Sequence, residues 1–106
     1  MPKYLVMADY TSDGMKGVLS KGGTARRDAV EKMAADLGGR LESFYFAFGE
    51  HDAFVVVDLP DNASAAAVGM AVSASGMAAA TTTVLLSPEE VDKASSASVQ
   101  YVAPGS

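Results

Sequence analysis

The sequence predicts an α+β domain ordered strand, helix, strand, strand, helix, strand, with an antiparallel sheet and both principal helices on one face of it. Three observations carry that prediction. Four runs, KYLVMADY, RLESFYFAF, AFVVVDL and TTTVLL, are rich in the β-branched and aromatic residues that suit strands. Two longer segments of helical character, TARRDAVEKMAADLGG and ASAAAVGMAVSAS, stand between the first and second runs and between the third and fourth. Only GEHD separates the second run from the third, so those two pair as an antiparallel hairpin.

Each element has its own signal. In Lys3 to Tyr10, Tyr4, Val6, Ala8 and Tyr10 alternate with Leu5, Met7 and Asp9, the pattern of a strand with one face on a core. Thr11 or Ser12 can cap a short helix through about Lys16 to Ser20, weakened by Gly14 and Gly17 and broken at Gly22 and Gly23. Thr24 opens a stronger helix, with Ala29, Val30, Met33, Ala34 and Leu37 on one face and Gly38 or Gly39 closing it. Arg40 to Phe48 and Ala53 to Leu59 are the hairpin strands, and Pro60 stops the second of them. Asp61 or Asn62 caps a helix of small residues that can lie close to a sheet. Thr81 to Leu86 is the fourth strand, followed by a short helix with Ser87 as cap and Pro88 at its first position. The predicted domain covers residues 1–94, and residues 95–106 form an extended or flexible tail.

This order is the split βαβ arrangement of ferredoxin-like βαββαβ folds. It bears on assembly, because Phe44, Phe46 and Phe48 alternate with Tyr45 and Ala47, so both faces of the second strand carry apolar side chains. A sheet with helices on one face leaves its other face uncovered. A homo-oligomer packing sheet against sheet is therefore expected.

Composition narrows the function classes. The 106 residues suit one domain, and 49% hydrophobic with 20% charged residues is the balance of a folded globular chain. Eight basic against thirteen acidic residues give a formal charge of −5, which disfavours nucleic acid and anionic membranes as partners. No cysteine is present, so disulfides, thiolate metal sites and cysteine nucleophiles are excluded, consistent with a cytoplasmic setting. MPKYLVMADY has too short an apolar run for a signal peptide or anchor. Ala63 to Ala80 carries no charge, but Gly69, Gly76 and its serines argue for a packed helix and strand rather than a membrane span.

Three places carry candidate chemistry. In the GEHD turn, His51 is an acid–base candidate beside Glu50, Asp52 and Tyr45. Turn chemistry accounts for Gly49, through an unusual backbone angle, and for Asp52, through bonds to local amides, without any ligand. In SKGGTARRDA, Lys21, Arg26 and Arg27 surround a helix start whose free amides suit a small carboxylate or phosphate. The alternative there is a helix break with a threonine cap and ordinary charge pairing. The third place is a cleft between sheet and helices, lined by Tyr4, Tyr10, Phe44, Phe46, Met33 and Met70, with an ordinary core as its alternative. No metal site and no cofactor are called for.

MPKYLVMADYTSDGMKG, GGTARRDAVEKMAADLGGRLESFYFAFGEHD, VDLPDNASAAA and TTTVLLSPEEVD together resemble the GYD-domain family of small bacterial proteins, over Pro2 to about Ala94. The naming motif of that family reads Gly, often an acidic residue, Tyr and Asp. Here it is Gly49, Glu50, His51 and Asp52, so an imidazole stands where the resemblance implies a phenol. The resemblance implies the dimeric α+β-barrel group and brings no established biochemical activity with it. The expected function is that of a homo-oligomeric small-ligand-binding or assembly protein. The alternative is a cofactor-free or haem-linked enzyme acting on a small aromatic or anionic molecule in the sheet–helix cleft, with His51 or Tyr45 as acid–base group and Arg26 or Arg27 holding an anion.

Overall fold

A computed structural model describes residues 1–106. The elements are β1 (Lys3–Tyr10), α1 (Ser12–Lys21), α2 (Gly23–Asp36), β2 (Arg40–Phe46), β3 (Ala53–Asp58), α3 (Asn62–Ser75), β4 (Ala78–Leu85) and α4 (Pro88–Ser96). The four strands form one open sheet in the order β2-β3-β1-β4, with each neighbouring pair antiparallel. The fold is α+β.

Strand pairing decides the two faces. Tyr4, Val6 and Ala8 of β1 stand opposite Val57, Val55 and Ala53 of β3, and opposite Val84, Thr82 and Ala80 of β4, so these side chains share one side. α2 and α3 both cover that side. Ala34 of α2 and Ala65 of α3 are buried with Tyr4, Val57 and Leu59 in a single cluster. Removing a side chain of the size of Val57 or Leu59 from water stabilises the fold by about 1.5–3 kcal/mol. Tyr4 also solves a polar problem within that core, because its buried hydroxyl donates to Oδ1 of Asn62 at 2.7 Å and ties β1 to the start of α3.

Local capping explains where the helices begin and end. Oγ1 of Thr11 accepts the N–H of Gly14 at 3.1 Å and donates to the carbonyl of Gly76 at 2.9 Å. Thr11 is thus the cap, as its position in the sequence suggests, and α1 runs from Ser12 to Lys21, anchored by that cap to the segment just before β4. The chain turns at Gly22, where φ is +91°, and enters α2 without a side-chain cap. Oδ1 of Asp61 accepts the N–H of Ser64 at 2.8 Å to open α3, and a capping box between Ser87 and Glu90, with Pro88 beside it, opens α4.

The hairpin departs from its expected form. β2 ends at Phe46, not Phe48, and the connection closes with Ala47 N–H donating to the carbonyl of Asp52 at 2.8 Å. Gly49 does not supply an unusual backbone angle, since only Gly22, Gly38, Gly76 and Gly105 have positive φ. The longer connection reverses the chain without the left-handed residues that a two-residue turn demands.

The opposite face of the sheet has no helix over it. Leu5 and Met7 of β1, Phe54 and Val56 of β3 and Tyr45 of β2 lie there, with Phe54 36% and Tyr45 70% exposed. α4 buries none of its residues, and every residue after it is exposed. The accessible surface of 7144 Å² is roughly a quarter above the ~5,600 Å² of a typical folded monomer of 10.9 kDa. The radius of gyration, 16.8 Å, likewise exceeds the ~13 Å usual for this length. No helix is long and apolar enough to cross a membrane.

Candidate functional site

The covered face of the sheet holds a cavity of about 50 Å³. Its floor comes from alternate positions of the strands, including Val6, Ala8 and Tyr10 of β1, Phe44 of β2 and Val55 of β3. Val30 and Met33 of α2 and Val68 and Val72 of α3 close it from above. Of its 16 lining residues 15 are hydrophobic, and the exception is Arg26. A cavity needs roughly 10–15 Å³ by this measure to hold one water, so the space admits about three or four groups of that size.

Arg26 reaches this cavity because α2 begins on the end of β2. Gly23 lies against the ring of Phe46, where a Cβ would come within 2.8 Å of Cε2, so the first turn of the helix sits directly on β2. Phe46 in turn packs with Tyr10 at a ring separation of 6.4 Å and edge-on with Phe44 at 5.0 Å. Val30, one helical turn after Arg26, is buried on the same side of α2. The Arg26 side chain thereby lies along the cavity wall half-buried, and its Nε is buried with no hydrogen-bond partner while its terminal nitrogens stay accessible. An unsatisfied buried donor costs roughly 1–3 kcal/mol, and more when it is charged.

The neighbouring cations behave differently. Arg27 pairs with Asp28 at 3.2 Å on the exposed side of α2, and Lys21 ends α1 in solvent. Of the four residues that sequence proposes for ligand contact, Arg26 and Tyr10 line the cavity, while Lys21 and Arg27 do not. Among the proposed cleft residues, Met33 and Phe44 join them there. Tyr4 belongs to the buried core, Phe46 packs at the start of α2, and Met70 is 72% exposed on α3. Met33 and Val68 also border an open groove between α2 and α3, so these two side chains separate the cavity from solvent on that side. Methionine is the more pliable of the two.

His51 and Tyr45 are on the other face. Nδ1 of His51 lies 3.1 Å from Oδ2 of Asp9, and its ring meets Phe54 edge-on at 5.9 Å. Tyr45 is the cross-strand partner of Phe54. Asp52 does not bond local amides with its side chain: its Oδ2 accepts the N–H of Tyr10, 42 positions away, at 2.9 Å. The whole connection is thus fastened to the end of β1. The sheet lies between these residues and Arg26, so acid–base candidates and anion candidate do not converge on one cleft.

A profile of the GYD domain matches residues 4–95. The chain belongs to the GYD domain family. No curated protein and no solved structure matches it.

Two features of this GYD domain escape a linear reading of its sequence. One is the His51–Asp9 contact, which the alternation of β1 foreshadows by placing Asp9 on the face of Leu5 and Met7. The other is a charge cluster at the far end of the same face. Lys3 Nζ lies 2.8 Å from Oδ1 of Asp58 and 2.9 Å from Glu42, while Arg40 lies 3.0 Å from Oδ2 of Asp58. The hydrogen bond from Lys3, with a further one from Arg40, holds the Asp58 carboxyl below the usual carboxylate range despite its burial. Every charge in that cluster is paired, which makes it a clamp between β1, β2 and β3 rather than a reactive centre.

Proposed function

We propose that this GYD domain is a homo-oligomeric small-ligand-binding protein that uses one face of its sheet for the ligand and the other for assembly. The observation that carries the reading is the cavity beneath α2 and α3, lined by apolar side chains together with the Tyr10 phenol and an Arg26 that makes no ion pair. A mostly apolar concavity with a small number of polar groups is the usual form of a small-molecule site. Assembly is supported by the uncovered face bearing Leu5, Met7, Phe54, Val56 and Tyr45.

The strand order β2-β3-β1-β4 agrees with a ferredoxin-like fold, and two such sheets packed face to face would make a dimeric α+β barrel. In that arrangement the His51–Asp9 contact lies at the rim of the shared interface, and the ligand cavities lie on the outer sides. The enzyme reading has less support, because it requires His51 or Tyr45 in the same cleft as Arg26 or Arg27.

Native mass spectrometry of protein purified from its own host tests both parts together. The expected spectrum shows multiples of the 10.9 kDa subunit that release a small molecule on activation. An unliganded assembly would remove the ligand half of the proposal, and an unliganded monomer would remove both.

A further inference from the structure

The chemistry of the cavity narrows the ligand further, on the assumption that the ligand-binding reading holds. We propose that it takes a short-chain aliphatic monocarboxylate of about four or five carbons, with the carboxylate on the Arg26 guanidinium and the chain among Val6, Val30, Val55 and Val68.

Three constraints lead there. The first is charge. Nε of Arg26 is a buried donor that no protein acceptor meets, and Arg26 makes no ion pair, unlike Arg27 and Arg40. A guanidinium presents two parallel N–H donors that match the two oxygens of a carboxylate, and the terminal nitrogens of Arg26, which no protein acceptor meets either, offer that match end-on.

The second constraint is polarity. The remaining 15 lining residues are hydrophobic, and among them only Tyr10 carries a hydroxyl, so an amine or second carboxylate on the tail would enter without a matching charge. Amino acids, sugars and nucleotides, with more polar groups than Arg26 and Tyr10 can meet, are disfavoured on that ground. Inorganic phosphate is disfavoured as well, since a dianion would meet a single guanidinium and otherwise uncharged walls.

The third constraint is size. A cavity of about 50 Å³ has room for about three or four groups the size of water. An aliphatic chain of three or four carbons beyond the carboxylate fills it, and a benzoate ring or an eight-carbon chain exceeds it.

Calorimetric titration of the full chain with pentanoate, alongside 1-pentanol, benzoate and octanoate, tests this directly. Pentanoate is expected to bind once per subunit with a Kd of roughly 0.01–1 mM, the range open to so small a ligand. 1-Pentanol and the Arg26→Gln variant with pentanoate should each lose at least tenfold in affinity. Methyl resonances of Val30 and Val68 should shift on saturation in the wild type. Equal pentanoate binding by Arg26→Gln, tighter binding of octanoate or benzoate, or absence of saturable pentanoate binding would each overturn the assignment. If pentanoate fails while native mass spectrometry finds another retained molecule, the carboxylate assignment falls and the ligand-binding reading stands. If neither is found, both fall.

Discussion

Nδ1 of His51 stands 3.1 Å from Oδ2 of Asp9, although 42 positions of chain separate them. With the Asp52 side chain on Tyr10 N–H, this contact fastens the β2–β3 connection to the last turn of strand β1. The segment that resembles a reactive motif is a clasp. His51 Nδ1 and Asp52 Oδ2 are committed to a neighbouring side chain and backbone amide, Phe54 packs edge-on against the imidazole, and Glu50 is exposed.

The two bonds of the clasp differ in expected worth. Asp52→Ala strips a charged acceptor from a part-buried amide and is expected to cost about 1–2 kcal/mol in chemical denaturation. His51→Ala is expected to cost less than about 1 kcal/mol, because Asp9 is 45% exposed in its side chain and water replaces the lost partner. A larger loss for His51→Ala than for Asp52→Ala would reverse the assigned roles.

Acid stability should report on Asp58. Its folded-state pKa lies below the unfolded value, chiefly through the Lys3 hydrogen bond, so the contribution is fully present above the ordinary carboxylate range. It is lost as pH falls through about 4 toward the lowered folded value. Asp58→Asn is therefore expected to unfold at lower denaturant concentration than wild type at pH 6, with the gap narrowing toward pH 2. A gap that stays constant or widens on acidification would contradict the clamp. Lys3 has a raised pKa from the same contacts, so its share persists to about pH 10 and is lost as pH rises beyond that.

Gly14 offers a test of packing. It is buried where α1 touches the start of β4, and a Cβ there would overlap the carbonyl oxygen of Met77. Alanine ordinarily favours a helix over glycine by about 1 kcal/mol, yet here Gly14→Ala must move backbone. A net destabilisation of about 1–3 kcal/mol is expected by thermal unfolding, whereas the same change at Gly17, which has open space around it, should stabilise. Stabilisation by both would show that α1 does not lie on β4 as described.

Much of the fold is legible in the sequence because its signals are local. The alternation in Lys3 to Tyr10, the SPEE capping box and the apolar runs on either side of GEHD each specify one element by themselves. The end of β2 and the inclusion of Gly14 and Gly17 in α1 are less legible, since Phe48 looks like strand by propensity and glycine looks unhelical. Both are decided by contacts made elsewhere, at Asp52 and at Gly76 with Met77. For the candidate site, the basic cluster SKGGTARRDA offers Lys21, Arg26 and Arg27 without choosing among them, and the structure places Arg26 on the cavity. The apolar face read from the sequence already places Arg26 one turn before Val30, but the burial of its Nε depends on how closely α2 sits on the sheet. Pairing His51 with Asp9 needs the strand register, a long-range property.

Division of labour between the two faces of the sheet is the central claim, and sedimentation equilibrium tests it most directly when wild type is run beside Phe54→Lys. Phe54 lies on the uncovered face and takes no part in the cavity. Wild type should sediment as a multiple of 10.9 kDa, and Phe54→Lys, with its far-UV dichroism unchanged, should sediment as the 10.9 kDa monomer. A wild-type protein that remains monomeric at submillimolar concentration, or a Phe54→Lys variant that keeps the wild-type mass, would show that this face is not the assembly surface.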